Sequence, residues 1–272
     1  MAKYKLALCA IFKNESHIIN EWLEHYINQG VEKFYLIDNG STDDYMKEIQ
    51  RFMDKITLFR DEKRYAQVEH YKRYVLPLCK EAEWLLVCDL DEFIYARKSF
   101  KTITEYLQTL PDHVSAVRVP WKMFGSSGYK DQPKRVVRSF LMRDSVRDKW
   151  YFGAVYKCIV RTSKLINIEI HCHSINSGTY IDPDNKPVKD PQNIPLITEQ
   201  ELEGYYLHNN HYRLQSFNWF MKVKVPRGDA TDQQRNSERN EKYFYEQDSL
   251  CNSVYDDELK RINEKIDSNY PE

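Results

Sequence analysis

Residues 84–93 of the chain have the sequence Trp-Leu-Leu-Val-Cys-Asp-Leu-Asp-Glu-Phe. The first five residues are apolar, as a central strand of a parallel sheet is when both of its faces are covered. Two carboxylates, Asp89 and Asp91, follow at once and are separated by one residue. In an open α/β sheet, ligands bind beyond the carboxyl ends of the strands. This stretch therefore predicts an α/β fold and a ligand site at the carboxyl end of the strand that it forms.

The residues before this stretch alternate between strand and helix patterns. Apolar runs predict three earlier strands, at 4–12, 33–38 and 55–60. Helical spacing predicts the segments between them, at 16–29, 44–53 and 66–80. This order is typical of parallel strands joined by right-handed crossovers. We therefore expect an α/β fold with a mostly parallel central sheet flanked by helices.

The pattern is less regular after residue 100. A helix at 102–110 and a strand at 114–120 are followed by predicted strands near 135–142 and 154–161, and possible strand residues at 165–170. Four prolines predict a long surface loop at 176–198. Three helical segments are predicted at the end of the chain, at 213–224, 232–247 and 255–267.

Charge and composition exclude several classes of protein. The 272 residues include 40 Lys and Arg against 41 Asp and Glu, so overall attraction to nucleic acid is not expected. No run approaches the ~20 apolar residues of a membrane span. The apolar N-terminal run is interrupted at Lys13, which favours a buried strand over a signal peptide, so we expect a cytoplasmic protein. None of the six cysteines forms a Cys-x-x-Cys pair, which indicates buried thiols rather than disulfides or a four-cysteine zinc site.

The pair Asp89 and Asp91 carries the strongest chemical signal. Unpaired buried charge is costly, so two carboxylates at a strand end are poor core residues. They suit Mg²⁺ or a similar cation that carries phosphates. The alternative is an acidic turn in which one aspartate caps a helix.

Two other strand ends are predicted to meet the same edge. Asp38 ends the second strand and is placed to accept hydrogen bonds from a base or ribose, although Asn-Gly at 39–40 also indicates an ordinary turn before a capped helix. Residues 10–15 end the first strand and are placed to flank a nucleotide, or simply start the next helix.

Several segments together resemble the GT-A glycosyltransferases, and more narrowly the family 2-like and family 92-like enzymes. The segments that carry the resemblance are 8–15, 22–26, 37–43, 89–93, 121–128 and 211–228. The resemblance extends over about residues 5–230. The resemblance implies a GT-A fold with a Rossmann-like nucleotide-binding half over 1–100, an acceptor-binding and catalytic half over 101–230, and a C-terminal helical extension over 231–272.

The resemblance also implies a metal-dependent hexosyltransferase-like enzyme. In this resemblance Asp89 and Asp91 hold Mn²⁺ or Mg²⁺ together with the diphosphate of a nucleotide sugar, and His211 completes the metal shell. The donor is expected to be UDP-linked. The acceptor is expected to be a hydroxyl of a glycan or glycoconjugate, and the reaction inverting. Peripheral membrane association stays open. The alternatives are a non-catalytic carbohydrate- or protein-binding relative and a nucleotidyltransferase; the latter lacks the glycine-rich, basic loop expected after the first strand.

Further residues receive roles from the resemblance. The nucleotide is lined by the first strand end, at Ala10, Phe12, Asn14 and Glu15, and by Asp38. The leaving diphosphate is within reach of Lys222, Lys224 and Arg227, unless these are the solvated face of a helix. The donor sugar and acceptor are expected beside the segment that contains Trp121, Phe124, Gly125, Ser126, Ser127 and Gly128, although ordinary core packing explains Trp121 and Phe124 equally well.

The sequence departs from the inverting pattern in its catalytic base, because no Glu-Asp pair follows the glycine-bearing segment. The acids that remain open for this role are Asp144, Asp148 and Asp229. The segment His171-Cys172-His173 has the spacing of a zinc site with Cys158 or His208, although packed core histidines are the favoured interpretation. His173 is also an alternative to His211 at the metal.

Overall fold

One mixed sheet forms the centre of the protein. The structure, a computed structural model, describes residues 2–145, 156–192, 197–229, 231 and 236–266. The strands, numbered in chain order, are β1 (Tyr4–Phe12), β2 (Lys33–Asp38), β3 (Ile56–Arg60), β4 (Ala82–Val87), β5 (Glu92–Ala96), β6 (Val114–Met123), β7 (Met142–Arg143), β8 (Tyr156–Arg161), β9 (Leu165–Asn167), β10 (Ser174–Ile175), β11 (Thr179–Ile181), β12 (Leu207–His211) and β13 (Val254–Tyr255). Among the described residues, the large sheet has the order β3-β2-β1-β4-β8-β6-β12-β5, and β11 pairs with β6.

Helices connect and cover these strands. They are α1 (Ser16–Asn28), α2 (Tyr45–Ile49), α3 (Gln67–His70), α4 (Ile103–Gln108), α5 (Val136–Ser139), α6 (Glu199–Gly204), α7 (Phe217–Trp219), α8 (Val225–Arg227), α9 (Glu241–Leu250) and α10 (Glu258–Ile266). Helical turns with wider, π-type hydrogen bonding continue α3 over Tyr71–Val75 and join α7 to α8 over Phe220–Lys224. None of the described helices has the length and hydropathy needed to cross a membrane.

Strand direction explains where the site forms. β3, β2, β1 and β4 are parallel neighbours, and β8 runs antiparallel between β4 and β6. As a result β6 points the same way as β4, and β12, which is parallel to β6, does so too. The carboxyl ends of these strands and the beginning of β8 therefore lie at one edge of the sheet. The predicted α/β class is confirmed, with β8 and β5 as antiparallel strands that make the sheet mixed.

The core lies on both faces of this sheet. Alternate residues of β1 point to opposite faces, so Leu6, Leu8 and Ala10 join one apolar cluster whereas Ala7 and Cys9 join the other. The apolar face of α1 covers the first cluster, and the turn over Tyr71–Val75 covers the second. Burial of β1 on both faces explains why its sequence is apolar without alternation.

The strand predicted near 135–142 is wrong. Residues Val136–Ser139 form the helical turn α5, and only Met142–Arg143 form a strand there. The carboxylate of Glu21 on α1 accepts hydrogen bonds from the N–H groups of Val136 (2.7 Å) and Val137 (3.2 Å). This long-range cap satisfies N–H groups at the start of the turn, so two β-branched residues become helical. The predicted loop 176–198 also contains the strand β11. Residues 193–196 of this loop lie outside the described residues, as do residues 232–235 of the helix predicted at 232–247.

Asp256 fastens the C-terminal segment to the sheet. Its Oδ2 accepts hydrogen bonds from buried Lys122 (2.9 Å) and Arg143 (2.7 Å). Burial alone would raise the pKa of Asp256, but Lys122 and Arg143 lower it from 3.8 to about 2. A carboxyl whose pKa is depressed on folding stabilises the protein above its unfolded pKa.

We expect Asp256→Asn to lower the free energy of unfolding at pH 7 by about 2 kcal/mol, the equivalent of this pKa shift. The loss is moderate because Lys122 keeps its bond to the Tyr95 hydroxyl and Arg143 keeps Glu199. In the wild type the same contribution should disappear as the pH falls from about 4 to 2. Urea unfolding of the wild type and of Asp256→Asn across this pH range measures the loss of stability and its pH dependence. An equal pH dependence in the variant would show that Asp256 is not the group that titrates.

Candidate active site

A cleft of about 610 Å³ opens at the carboxyl edge of the sheet. Its walls come from the ends of β1, β4, β6 and β12 and from the helical segment 217–227. Its lining includes Phe12, Glu15, Asp89, Asp91, Trp121, His171, His211, Lys224, Arg227, Asp229 and Glu238. Both aspartates of the predicted pair line this one cleft.

Asp89 is held by a lysine from the neighbouring antiparallel strand. Lys157, near the start of β8, is fully buried and donates to Asp89 Oδ2 at 2.8 Å. Its Nζ also lies 3.6 Å from Glu92 Oε1. Burial alone would lower the pKa of Lys157, but these two carboxylates hold it well above its usual value. The ammonium therefore stays charged under the floor of the cleft.

Asp91 has two basic partners inside the cleft. Lys224 Nζ donates to Asp91 Oδ2 at 2.9 Å, and His211 Nε2 lies 3.3 Å from Oδ1. Burial alone would raise the pKa of Asp91, but Lys224 and His211 hold it well below its usual range. Burial lowers the pKa of Lys224 to about 8 in spite of Asp91. Asp91 is thus a permanent carboxylate in this site.

The wide turn between α7 and α8 brings two of the three predicted cations into the cleft. Lys224 ends this turn, and Arg227 follows on α8, where it pairs with Glu15 and donates to the Lys13 carbonyl at 3.1 Å. Lys222 is exposed instead and lines a second cavity of about 440 Å³ behind Arg227. The solvated-face interpretation holds for Lys222, whereas Lys224 and Arg227 face the cleft.

A candidate metal-ligand group combines two residues that line the cleft, Asp91 and His211, with the fully buried Glu92. Among the described residues, these three each offer one ligand atom, and the atoms lie within 4.8 Å of one another. Within the same part of the chain, Glu92 Oε1 and His211 Nδ1 are buried and have no hydrogen-bond partner. The donor set therefore fits a divalent cation. Asp89, whose Oδ2 is taken by Lys157, is not in this group, and its role as a ligand stays a prediction.

Sequence reasoning did not single out Glu92 or Lys157. Glu92 is fully buried, and burial raises its pKa well above the usual value. A signal existed for both residues. Glu92 is a third acid directly after the aspartate pair, and Lys157 is a single charge in the otherwise apolar run 156–160.

The predicted nucleotide-lining residues of the first strand separate in the structure. Phe12 and Glu15 line the cleft, whereas Ala10 is fully buried in the sheet. Asn14 has a left-handed backbone (φ 55°) and accepts a hydrogen bond from the Thr42 N–H at 2.8 Å. Asn14 therefore ties the end of β1 to the turn after β2, beside the second cavity.

Asp38 serves the turn that follows β2. Its buried carboxylate accepts hydrogen bonds from the Ser41 N–H (2.7 Å), the Tyr45 hydroxyl (3.1 Å) and Arg60 (2.6 Å). These donors account for its charge without a ligand, and Asp38 is not among the residues that line the cleft. Its contact with a base or ribose stays a prediction.

The predicted sugar-binding segment is divided between one residue that lines the cleft and others that do not. Trp121 lines the cleft and packs on the His211 ring at a centroid distance of 4.2 Å. The following residues, Phe124, Gly125, Ser126, Ser127 and Gly128, are not among its lining. Ser126 donates to Asp248 of α9 from both its N–H (2.6 Å) and its hydroxyl (2.8 Å). A Cβ at Gly125 would lie 2.7 Å from the Cys251 carbonyl, so glycine is needed there for the approach of α9.

The three acids left open as the base lie in different places. Asp144 is buried, accepts from the Met123 N–H at 3.0 Å and is not among the cleft-lining residues. Asp229 lines the cleft and pairs with Arg239 at 2.5 Å. Asp148 lies outside the described residues.

The histidines at 171 and 173 do not belong to a metal group in the described part of the chain. His173 is buried, accepts a hydrogen bond from the Glu169 N–H at 3.1 Å, and has its pKa lowered to about 3 by burial. The core interpretation therefore suits His173. His171, in contrast, lines the cleft.

The chain matches the model of Glycosyltransferase family 92 over residues 4–249. Curated relatives include a family 92 protein of Ricinus communis, 25% identical over 190 residues (66% of this chain, 34% of the relative), and one of Oryza sativa subsp. japonica, 23% identical over 190 residues (66% and 31%). The chain thus spans about a third of the length of these relatives.

Solved structures similar to the chain include S. aureus TarS 1–349 (TM-score 0.39, 17% identity, 58% of this chain and 47% of that one). Another is glucosyl-3-phosphoglycerate synthase from Mycobacterium tuberculosis in complex with Mn²⁺, UDP and glucosyl-3-phosphoglycerate (TM-score 0.32, 9% identity, 60% and 58%).

Proposed function

The chain belongs to glycosyltransferase family 92, and from this premise we propose that its cleft transfers a sugar from a UDP-linked donor to a hydroxyl group of a glycan or glycoconjugate. We propose that the transfer depends on Mn²⁺ or Mg²⁺ and inverts the anomeric centre. The GT-A plan, with the nucleotide held by the first half of the sheet, is part of this proposal.

One observation carries the proposal: carboxylates and basic side chains meet in a single cleft. Asp91 and His211 lie on its floor, and Lys224 and Arg227 come from the helical segment beside them. A cation held by acidic side chains, with two basic side chains beside it, suits a diphosphate, whose negative charge needs both. A volume of about 610 Å³ is within the range of small-molecule sites.

The metal would be held by Asp91, Glu92 and His211, whose ligand atoms lie within 4.8 Å of one another. Within the described structure Glu92 Oε1 has an ion-pair contact with Lys157 at 3.6 Å but no hydrogen bond, which supports this assignment. When bound, the ion supplies Lewis-acid stabilisation of the leaving diphosphate. Lys224 and Arg227 hold the same phosphates by charge-assisted hydrogen bonds. Trp121 covers the His211 ring and keeps water from that side of the floor.

Calorimetry with UDP, with and without Mn²⁺, tests this function together with the release of nucleotide from a panel of UDP- and GDP-sugars. We expect UDP to bind in the presence of Mn²⁺, and chelation of the ion to weaken binding at least tenfold. Binding without any nucleotide release would indicate a non-catalytic relative. Absence of metal-dependent binding of both UDP and GDP would refute the proposal.

A matched pair of lysine variants tests the basic side of the cleft. Lys224→Met should weaken UDP binding at least tenfold, since one charge-assisted hydrogen bond contributes about 1.5–3 kcal/mol. Lys222→Met, two residues away but outside the cleft, should change the affinity less than twofold. Titration of UDP in saturating Mn²⁺ measures both, and equal losses would show that the helix acts only through its general charge.

A further inference from the structure

His171 occupies a distinctive place in the cleft. It lies in the segment between β9 and β10, is half-buried, and lines the same cleft as the aspartate pair. Its ring packs against Trp121 at a centroid distance of 5.8 Å, and Trp121 in turn contacts His211. One indole ring therefore separates His171 from His211, the partner of Asp91, and all four residues line the same cleft.

A backbone carbonyl fixes the tautomer of His171. The Nδ1 atom lies 2.9 Å from the carbonyl oxygen of Tyr156. A carbonyl only accepts hydrogen bonds, so Nδ1 must carry the proton and Nε2 must present its lone pair. Within the described part of the chain, the Nε2 atom has no hydrogen-bond partner. It is also not fully buried, because it is absent from the buried atoms that lack a partner. His171 thus offers an oriented acceptor in the cleft.

The surroundings of His171 keep this lone pair free of a proton. Burial is the main cause that lowers the pKa of His171, to about 4. Lys157 and His211 lower it further, whereas Asp89 and the Tyr156 carbonyl oppose the shift. The imidazole is therefore neutral at physiological pH, with the Nε2 lone pair unprotonated.

The carboxylates of the cleft are engaged by cations. Asp89 pairs with Lys157 and Asp91 with Lys224, while Glu15 pairs with Arg227. Asp229, which of the two described candidate bases is the one that lines the cleft, pairs with Arg239. Lys224 and His211 hold the pKa of Asp91 well below its usual range, which makes Asp91 a weak proton acceptor. Exposed Glu238 is the competing acid along the cleft wall.

We propose that His171 is the general base that deprotonates the acceptor hydroxyl, an inference that rests on the proposed function. In this step the hydroxyl proton passes to Nε2 as the oxygen forms a bond to the anomeric carbon of the donor. The bond from that carbon to the diphosphate breaks, and its electron pair leaves with the nucleoside diphosphate. The proton on Nε2 then passes to water, which restores the neutral ring.

The test uses water as the acceptor, since every donor can be hydrolysed by it. The donor from the UDP- and GDP-sugar panel that the wild type hydrolyses fastest in Mn²⁺ is used for all variants. For His171→Gln we expect kcat to fall by about 10² or more, the usual contribution of general-base catalysis. KM and the affinity for UDP with Mn²⁺ should stay within threefold. Exposed His113→Gln is the control and should behave as the wild type.

Chemical rescue distinguishes a base from a structural residue. In His171→Ala, added imidazole should restore part of kcat, because a free base fits the space that the ring leaves. Loss without rescue, a parallel loss of UDP affinity, or unchanged kcat in His171→Gln would each overturn the assignment. So would a loss of kcat confined to Glu238→Gln or Asp229→Asn. If the wild type binds UDP with Mn²⁺ but hydrolyses no donor, the proposed transfer itself fails and the base fails with it.

Discussion

Asp91→Asn should lower kcat/KM for nucleotide release by about 10³-fold or more, which corresponds to about 4 kcal/mol of transition-state stabilisation. The carboxylate of Asp91 is the group that Lys224 and His211 keep ionised, and it is central to the proposed metal site. An amide offers one neutral oxygen in its place, which is a poor ligand for a hard cation that prefers carboxylates. Measurements of nucleotide release and of UDP affinity with and without Mn²⁺ check this expectation.

The same substitution leaves Lys224 buried without its carboxylate. Removing one partner of a buried ion pair commonly costs about 3–5 kcal/mol of stability, so loss of activity alone would be ambiguous. The double variant Asp91→Asn/Lys224→Met removes both charges and should unfold close to the wild type. We expect it to remain inactive and to bind UDP without any response to Mn²⁺. Metal-dependent release by this folded double variant would contradict the role of Asp91; exposed Asp112→Asn serves as the control.

Local sequence was sufficient to find the cleft and its aspartates. The run 84–88 is apolar because β4 is buried on both faces, and Asp89 and Asp91 follow where that burial ends. Such an abrupt change from apolar to charged residues is visible without knowledge of any partner. The helix α1 was predictable for the same reason, since its apolar stripe faces the sheet.

Residues whose role depends on strand pairing were not predictable in this way. Lys157 meets Asp89 because β8 runs antiparallel to β4, and that pairing joins segments about 70 positions apart. His171 enters the cleft through a bond to the Tyr156 carbonyl, which no local pattern indicates. The identity of a long-range partner is a property of the folded chain.

Internal partners of polar residues are hidden from the sequence for the same reason. The residue types of Asp38 and Ser126 suit ligand binding, and the sequence does not reveal that the chain itself supplies hydrogen-bond partners for both. Arg60 and Tyr45 satisfy Asp38, and Asp248, 122 positions away, satisfies Ser126. A polar residue at a strand end is therefore a candidate for binding only until its own donors and acceptors are counted.

Lys157→Met should lower the free energy of unfolding by about 3–5 kcal/mol, the usual cost of leaving buried acids without their cation. Lys157 has no exposed surface, and its ammonium is shared between Asp89 at 2.8 Å and Glu92 at 3.6 Å. Methionine fills a similar volume, so the loss reports the charge rather than a cavity. Urea unfolding at pH 7, with Lys157→Arg as the variant that keeps the charge, measures this cost.

A second substitution, at Glu92, distinguishes which of the two acids requires Lys157. Asp89 is about one-third exposed and keeps contact with water when Lys157 is removed, whereas Glu92 is fully buried. Glu92→Gln should therefore recover more than half of the stability lost in Lys157→Met, because without the lysine Glu92 must either hold an unsolvated charge or take up a proton. The coupling energy from this double-mutant cycle should exceed 1 kcal/mol. Additive effects of the two substitutions would mean that Lys157 serves Asp89 alone, and that Glu92 is accommodated in the floor of the cleft without it.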